Sequence, residues 1–171
     1  TLESYLAGID YLLEKRFESI SISQLIVLKG SQMDLPEVRE RFGFVTKFMV
    51  ADNGYTTHPE MENVEYDEFV VATDSMSGED VLTIQKILFL IDFGHFRSQL
   101  KELIFLAECY GIRTSELLLN CVKRPDLCPT LTEYAERCAG EIHGGFHDTP
   151  EQVADYVKGA MKTDPSQVRG F

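Results

Sequence analysis

Positive charge is scarce in this sequence: 16 Lys and Arg face 28 Asp and Glu, so the net charge over 171 residues is 16 − 28 = −12. Binding to a nucleic-acid backbone or an anionic membrane needs clustered cations. The acidic side chains here are spread along the whole chain, so neither partner is expected. Long apolar runs are missing too. None is longer than the run at 87–91, against about 20 residues for a bilayer span. Residues 1–17 are amphipathic and acidic, unlike a signal peptide. A soluble, cytoplasmic protein is the expectation.

Tight cysteine pairs are absent as well. Cys109, Cys121, Cys128 and Cys138 are separated by eleven, six and nine residues, none of which gives the C-x-x-C spacing of zinc or redox sites. Packed or inert thiols are expected, with a metal cluster helped by His143 and His147 as the alternative. No nucleophile elbow, P-loop, H-E-x-x-H or dinucleotide fingerprint can be found.

The length allows one domain or one plus an appendage, long enough to bury about 70% of the unfolded chain's surface. Residues 1–17 place Leu2, Tyr5, Leu6, Ile9, Leu12, Leu13 and Phe17 at helical spacing behind an N-cap at Thr1. A helix with so wide an apolar stripe at the first residue suggests a piece of a longer protein. Residues 19–28 alternate and then run β-branched, which predicts a strand buried on both faces and half of a βαβ unit. Lys29-Gly30-Ser31 ends it, and residues 35–42 form a short helix with Pro36 in its first turn. Residues 44–50 and 65–73 read as two strands, antiparallel across a turn-rich stretch from Asp52 to Asn63.

Beyond this point helices follow one another. Ser77 with Asp80 forms a capping box opening a helix that is apolar nearly all round and interrupted at Gly94. Phe96, Leu100, Leu103, Ile104, Ala107 and Tyr110 predict a second helix with one apolar face, ended at Gly111. Thr130 with Glu133, and Thr149 with Pro150 and Gln152, start two more, ending near Gly144-Gly145 and Asp164-Pro165. The organisation is helix, strand, short helix, strand pair, then about five helices.

Few side chains gather into chemistry. His143 and His147 flank two glycines, which favours a helix-end loop over ligation. His58 sits in the long loop and is expected to be solvated, and His95 beside Gly94 is a kink residue. Glu60, Glu62, Glu65, Asp67 and Glu68 lack the regularity of a calcium loop and read as a solvated edge. Residues 24–33 carry more weight, because ligands of α/β proteins sit at the carboxyl ends of parallel strands. Gln24, Lys29, Gly30 and Ser31 are the polar groups available there.

Three stretches point to a family: Thr1-Leu-Glu-Ser-Tyr-Leu-x-Gly-Ile-x-Tyr-Leu, Gln24-Leu-Ile-Val-Leu-Lys-Gly-Ser, and Glu68-Phe-Val-Val-Ala-Thr-Asp-Ser-Met-Ser-x-Glu-Asp80. Together they resemble the C-terminal part of radical SAM enzymes, in the group with an N-terminal cobalamin-binding domain. The resemblance covers about the first 80 residues. In that family a helix follows a G-x-P-G-E-T loop at the end of the fifth barrel strand, so Thr1 would be that loop's threonine. The next strand ends in a P-G-T turn, which Lys29-Gly30-Ser31 replaces here.

The resemblance implies an α/β class, α+β in the isolated piece. Residues 1–76 would be the trailing helix and strand of a partial TIM barrel with a strand pair, and 77–171 a helical extension. The parent would cleave S-adenosylmethionine reductively at a [4Fe-4S] cluster held by an upstream C-x-x-x-C-x-x-C loop, with cobalamin a further possible cofactor. This chain lacks that loop and would be inert alone. Ser23, Gln24, Lys29, Gly30 and Ser31 would line the cofactor side of the pocket. Its partners would be the parent's upstream barrel and cobalamin-binding domains and an unidentified small substrate. The alternative is a stand-alone acidic protein-interaction or regulatory domain without catalysis.

Overall fold

The computed structural model describes residues 1–15, 22–55 and 64–163. Two compact units account for the chain, and neither is a continuous stretch. The first joins Thr1–Ser23 to Ser75–Glu141, and the second joins Gln24–Asp74 to Ile142–Phe171.

The first unit is helical. Helix α1 (Leu2–Glu14) opens as the sequence predicts, with the Thr1 hydroxyl accepting from the Ser4 amide at 3.3 Å. Helix α3 (Gly78–Ile91) begins at the expected box: Ser77 Oγ accepts from the Asp80 amide at 3.1 Å, and Asp80 accepts from the Ser77 amide at 3.0 Å. From Asp80 to Phe96 no residue is exposed, as its all-round apolar sequence requires. A π-helical turn, Asp92–Phe96, follows α3. Gly94 lies within it, where an added Cβ would come 3.0 Å from the Leu100 side chain.

Helix α4 (Lys101–Cys109) ends at Gly111, whose φ of +73° lets the Ile112 amide reach back to the Ala107 carbonyl at 2.9 Å. Its apolar face is narrower than the spacing predicts: Ile104 and Ala107 are buried, but Leu103 and Tyr110 are exposed. Helix α5 is Thr114–Lys123 and α6 is Pro129–Gly144. Helix α6 starts at Pro129, so Thr130 falls inside its first turn instead of capping it; proline's fixed φ suits the first helical position. Ile9 and Leu13 of α1, Ile87, Leu90 and Ile91 of α3, Leu118 and Cys121 of α5 and Ala135 of α6 form one core. Each fully buried Leu or Ile contributes about 1.5–3 kcal/mol.

The second unit is built on a hairpin. Strands β1 (Val45–Tyr55) and β2 (Val64–Ala72) pair antiparallel, with Phe48 opposite Glu68 and Val50 opposite Tyr66. Strand β1 runs longer than the sequence predicts, through Asn53 and Gly54 to Tyr55. His58, Glu60 and Glu62 lie outside the described residues. Helix α2 (Pro36–Phe42) precedes the hairpin and α7 (Pro150–Thr163) follows it. Thr149 caps α7 as expected, its hydroxyl accepting from the Gln152 amide at 3.3 Å. Val153, Val157 and Ala160 of α7 pack on Val50, with Phe48 and Val64 at the margin.

The strand predicted at 19–28 is corrected by the structure. Residues 19–21 lie outside the described part, and only Ile26 makes a β-bridge, antiparallel to Phe69 of β2. Val27 donates to the Glu68 carbonyl at 2.8 Å, and Val70 donates to the Leu25 carbonyl at 2.9 Å. Val27 is buried, whereas Leu25 and Leu28 are 41% and 65% exposed, so the segment is not buried on both faces as its sequence predicts. A β-branched run selects an extended backbone but not its partner or direction. At the opposite edge of the hairpin, Phe48 and His147 exchange both backbone hydrogen bonds, at 2.9 and 2.8 Å.

Candidate functional site

The turn after Leu25–Ile26–Val27 is fixed by its own backbone. The Ser31 amide donates to the Leu28 carbonyl at 3.0 Å, and Gly30, third of the four residues, has φ +80°. That is a type II turn, whose third position needs positive φ and therefore favours glycine. A 3₁₀ turn, Gln32–Asp34, then leads into α2, with Pro36 at its first position.

An ion cluster holds this turn against the hairpin. Arg39 reaches both carboxylate oxygens of Glu68 at 2.7 Å each and Asp34 Oδ1 at 2.8 Å. Asp34 Oδ2 accepts from the Gly30 amide at 2.8 Å, and Glu68 Oε1 accepts from the Thr46 hydroxyl at 2.7 Å. The bidentate Arg39 fork is the main reason that the Glu68 carboxyl is held below the usual carboxylate range. Asp34 is lowered first by the Gly30 amide and then by Arg39. Glu68 therefore departs from the solvated edge predicted for these acidic residues, because its side chain is only 16% exposed and is paired with Arg39.

The residues singled out in the sequence meet different fates here. Gln24 donates through Nε2 to the Val70 carbonyl at 2.9 Å, so it ties the segment to β2. The Gly30 amide is taken by Asp34, and Lys29 is exposed. The Ser31 hydroxyl is buried and has no hydrogen-bond partner among the described residues. Ser23 is exposed and belongs to the other unit. The turn thus gathers Gln24, Lys29, Gly30 and Ser31, and only the Ser31 hydroxyl is left buried and unused. Such a group costs about 1–3 kcal/mol.

No family model matches the chain, and no curated protein does.

The histidines separate. His143 closes α6 and stacks edge-on to Phe146 at 5.5 Å, while His147 lies in the bridge to Phe48 with its ring 5.1 Å from Tyr156. Among the described residues no three His, Cys, Asp or Glu side chains converge as metal ligands. The four cysteines lie on α4, α5, the α5–α6 connection and α6, with Cys121 and Cys128 meeting sulfur to sulfur at 3.5 Å. These residues do not fit a [4Fe-4S] cluster, which takes its thiolates from one compact arrangement.

Sequence reasoning missed a second polar centre, in the first unit. Asp10 of α1 is buried and accepts from the Ser115 amide at 3.0 Å and the Ser115 hydroxyl at 2.6 Å. It thereby caps α5 from another helix. A cleft of about 320 Å³ opens beside it, lined by Glu14, Glu108, Arg113 and Thr114 among others. The signal was present in the sequence, because Asp10 interrupts the apolar stripe between Leu6 and Leu13.

Proposed function

We propose that the chain is the C-terminal part of a radical SAM enzyme of the cobalamin-binding group, acting in the cytoplasm on a small substrate. The turn at 28–31 would face the S-adenosylmethionine pocket. The reductive cleavage of that cofactor would take place on a cluster held upstream in the parent chain.

The observation that carries this reading is the unpartnered Ser31 hydroxyl in a glycine turn at the carboxyl end of an extended segment. A buried hydroxyl without a partner is relieved by a ligand or another backbone that supplies one. Two features agree with it. Pairing with β2 uses the backbone of Leu25 and Val27, which directs that of Ile26 to the opposite edge, where a barrel strand can add. An antiparallel strand beside an otherwise parallel sheet is common. The α1 face carries an apolar groove of about 550 Å³ lined by Tyr5, Gly8, Leu12, Ile22 and Met76, a surface suited to a barrel neighbour.

The test uses the product of the complete gene, purified without oxygen and reduced with dithionite. It should contain iron and sulfide and release 5′-deoxyadenosine from S-adenosylmethionine. Ser31→Ala should weaken binding of that cofactor about fivefold, the equivalent of one hydrogen bond. A gene product that binds neither iron nor S-adenosylmethionine overturns the proposal.

The second reading, a protein-interaction domain without catalysis, is favoured by α4, where Leu103, Phe105, Leu106 and Tyr110 are 43–78% exposed. It requires that the 171-residue chain bind a partner protein on its own and that Phe105→Asp abolish that binding.

A further inference from the structure

We propose that Cys121 and Cys128 form a reversible intramolecular disulfide when the protein meets a peroxide. Their sulfurs are 3.5 Å apart, in direct contact, though seven positions separate them in the chain. A disulfide needs about 2.05 Å, so the sulfurs must close by roughly 1.5 Å, within reach of small side-chain rotations.

The backbone around the pair is already fixed. Cys121 lies in the last turn of α5, buried in the core, and Cys128 immediately precedes α6. The Thr132 hydroxyl lies 2.6 Å from the Cys121 carbonyl and 3.0 Å from that of Cys128, so one donor spans both cysteine backbones. The connection is closed by the Leu127 amide on the Arg124 carbonyl at 2.9 Å, and the Arg124 guanidinium forks onto Asp126 at 2.9 and 2.8 Å. At its other end α5 is held by Asp10 through Ser115. A cross-link would therefore join two elements that need not move.

The two thiols have unequal roles. Cys121 is 3% exposed, and its burial, with the neighbouring Cys128 sulfur, pushes its thiol up to about 12. It stays protonated and out of reach of an oxidant. Cys128 is partly exposed and is the sulfur a peroxide can reach. The Cys128 thiol gives up its proton as its sulfur attacks one oxygen of hydrogen peroxide; the S–O bond forms, the O–O bond breaks, and the departing hydroxide takes that proton and leaves as water, with sulfenic acid left on the sulfur. The Cys121 sulfur then attacks the sulfenyl sulfur. An S–S bond forms, the S–O bond breaks, and the departing oxygen takes the Cys121 proton and leaves as water. In sum, two thiols and one peroxide give a disulfide and two waters, the sulfurs losing two electrons and the peroxide gaining them.

Tryptic mapping of the whole chain tests this, because each cysteine falls on a different peptide. The reduced protein is treated with a few equivalents of hydrogen peroxide, denatured, alkylated and digested. Peptides 114–123 and 124–137 should emerge joined, two hydrogens lighter than their sum. Cys109 and Cys138 should be alkylated, and dithiothreitol should restore four free thiols. In Cys128→Ser, Cys121 should remain fully alkylated; in Cys121→Ser, Cys128 should be trapped by dimedone as the sulfenic acid. Recovery of 114–123 and 124–137 as separate alkylated peptides overturns the proposal, as does a link from Cys128 to Cys109 or Cys138.

Discussion

Replacing Asp10 by alanine removes one carboxylate and strands two donors. The Ser115 amide is the second in α5 and has no carbonyl partner within that helix. Loss of its cap costs about 1 kcal/mol. The Ser115 hydroxyl is worse placed: the residue is 2% exposed, so the hydroxyl has little access to water once Asp10 is gone. An unsatisfied buried hydroxyl adds about 1–3 kcal/mol. Arg113 lies 3.8 Å from the carboxylate but is 65% exposed, and contributes at most about 1 kcal/mol. The expected loss is therefore about 2–4 kcal/mol. It is read as a lower urea midpoint by far-ultraviolet circular dichroism and as a fall in Tm of about 5–15 °C. Asp10→Asn keeps an acceptor for the amide and should fall between alanine and the parent. Adding Ser115→Ala to Asp10→Ala removes the stranded hydroxyl, so the double variant should be more stable than Asp10→Ala alone. An Asp10→Ala protein within about 0.5 kcal/mol of the parent would refute the idea that this carboxylate caps α5.

Two further predictions concern the second unit. The Glu68 and Asp34 carboxyls are held low by Arg39 and by the Gly30 amide, so the folded protein binds their protons less readily than the unfolded chain. Their contribution is complete above the ordinary Glu value of 4.5 and is lost as pH falls through the lower folded values. Urea midpoints measured from pH 6 down to about pH 2 should therefore drop less steeply for Glu68→Gln than for the parent; parallel curves would contradict the assignment. Gly43→Ala should destabilise more than Gly30→Ala. Both have positive φ, about 1–2 kcal/mol against alanine, but the added methyl at Gly43 overlaps the Asp74 carboxylate while that at Gly30 meets open space. Thermal melts of both, with Asp74→Ala added to Gly43→Ala to relieve the overlap, check this.

What the sequence made legible was local. The N-cap at Thr1, the capping box at Ser77 and the Thr149 cap act over three residues, and each forms where its pattern stands. The hairpin strands were readable because apolar residues sit between turn-rich segments, and their pairing needs no distant partner. Features that depend on distant residues were not legible. The run at 19–28 looked like a doubly buried strand, yet its described part carries a single bridge, to a strand more than 40 residues later. The Arg39 fork on Glu68 spans 29 positions and the Asp10 bond to Ser115 spans 105. Neither spacing has a local period. At the candidate turn, Gly30 was identifiable from turn chemistry, but the use of Gln24 and the Gly30 amide within the fold depended on Val70 and Asp34.

The interleaving of the two units along the chain sets an order of events during synthesis. The hairpin residue Val50 is covered by Val153 and Val157, which lie about 100 positions later. At roughly 5–20 residues per second, the ribosome needs on the order of 5–20 s to deliver that cover. Throughout this interval the nascent hairpin presents Val50, and α1 presents Ile9 and Leu13 until α3 and α5 emerge to meet them. Neither unit can finish on the ribosome in the order its first residues appear, because each waits for a segment made much later.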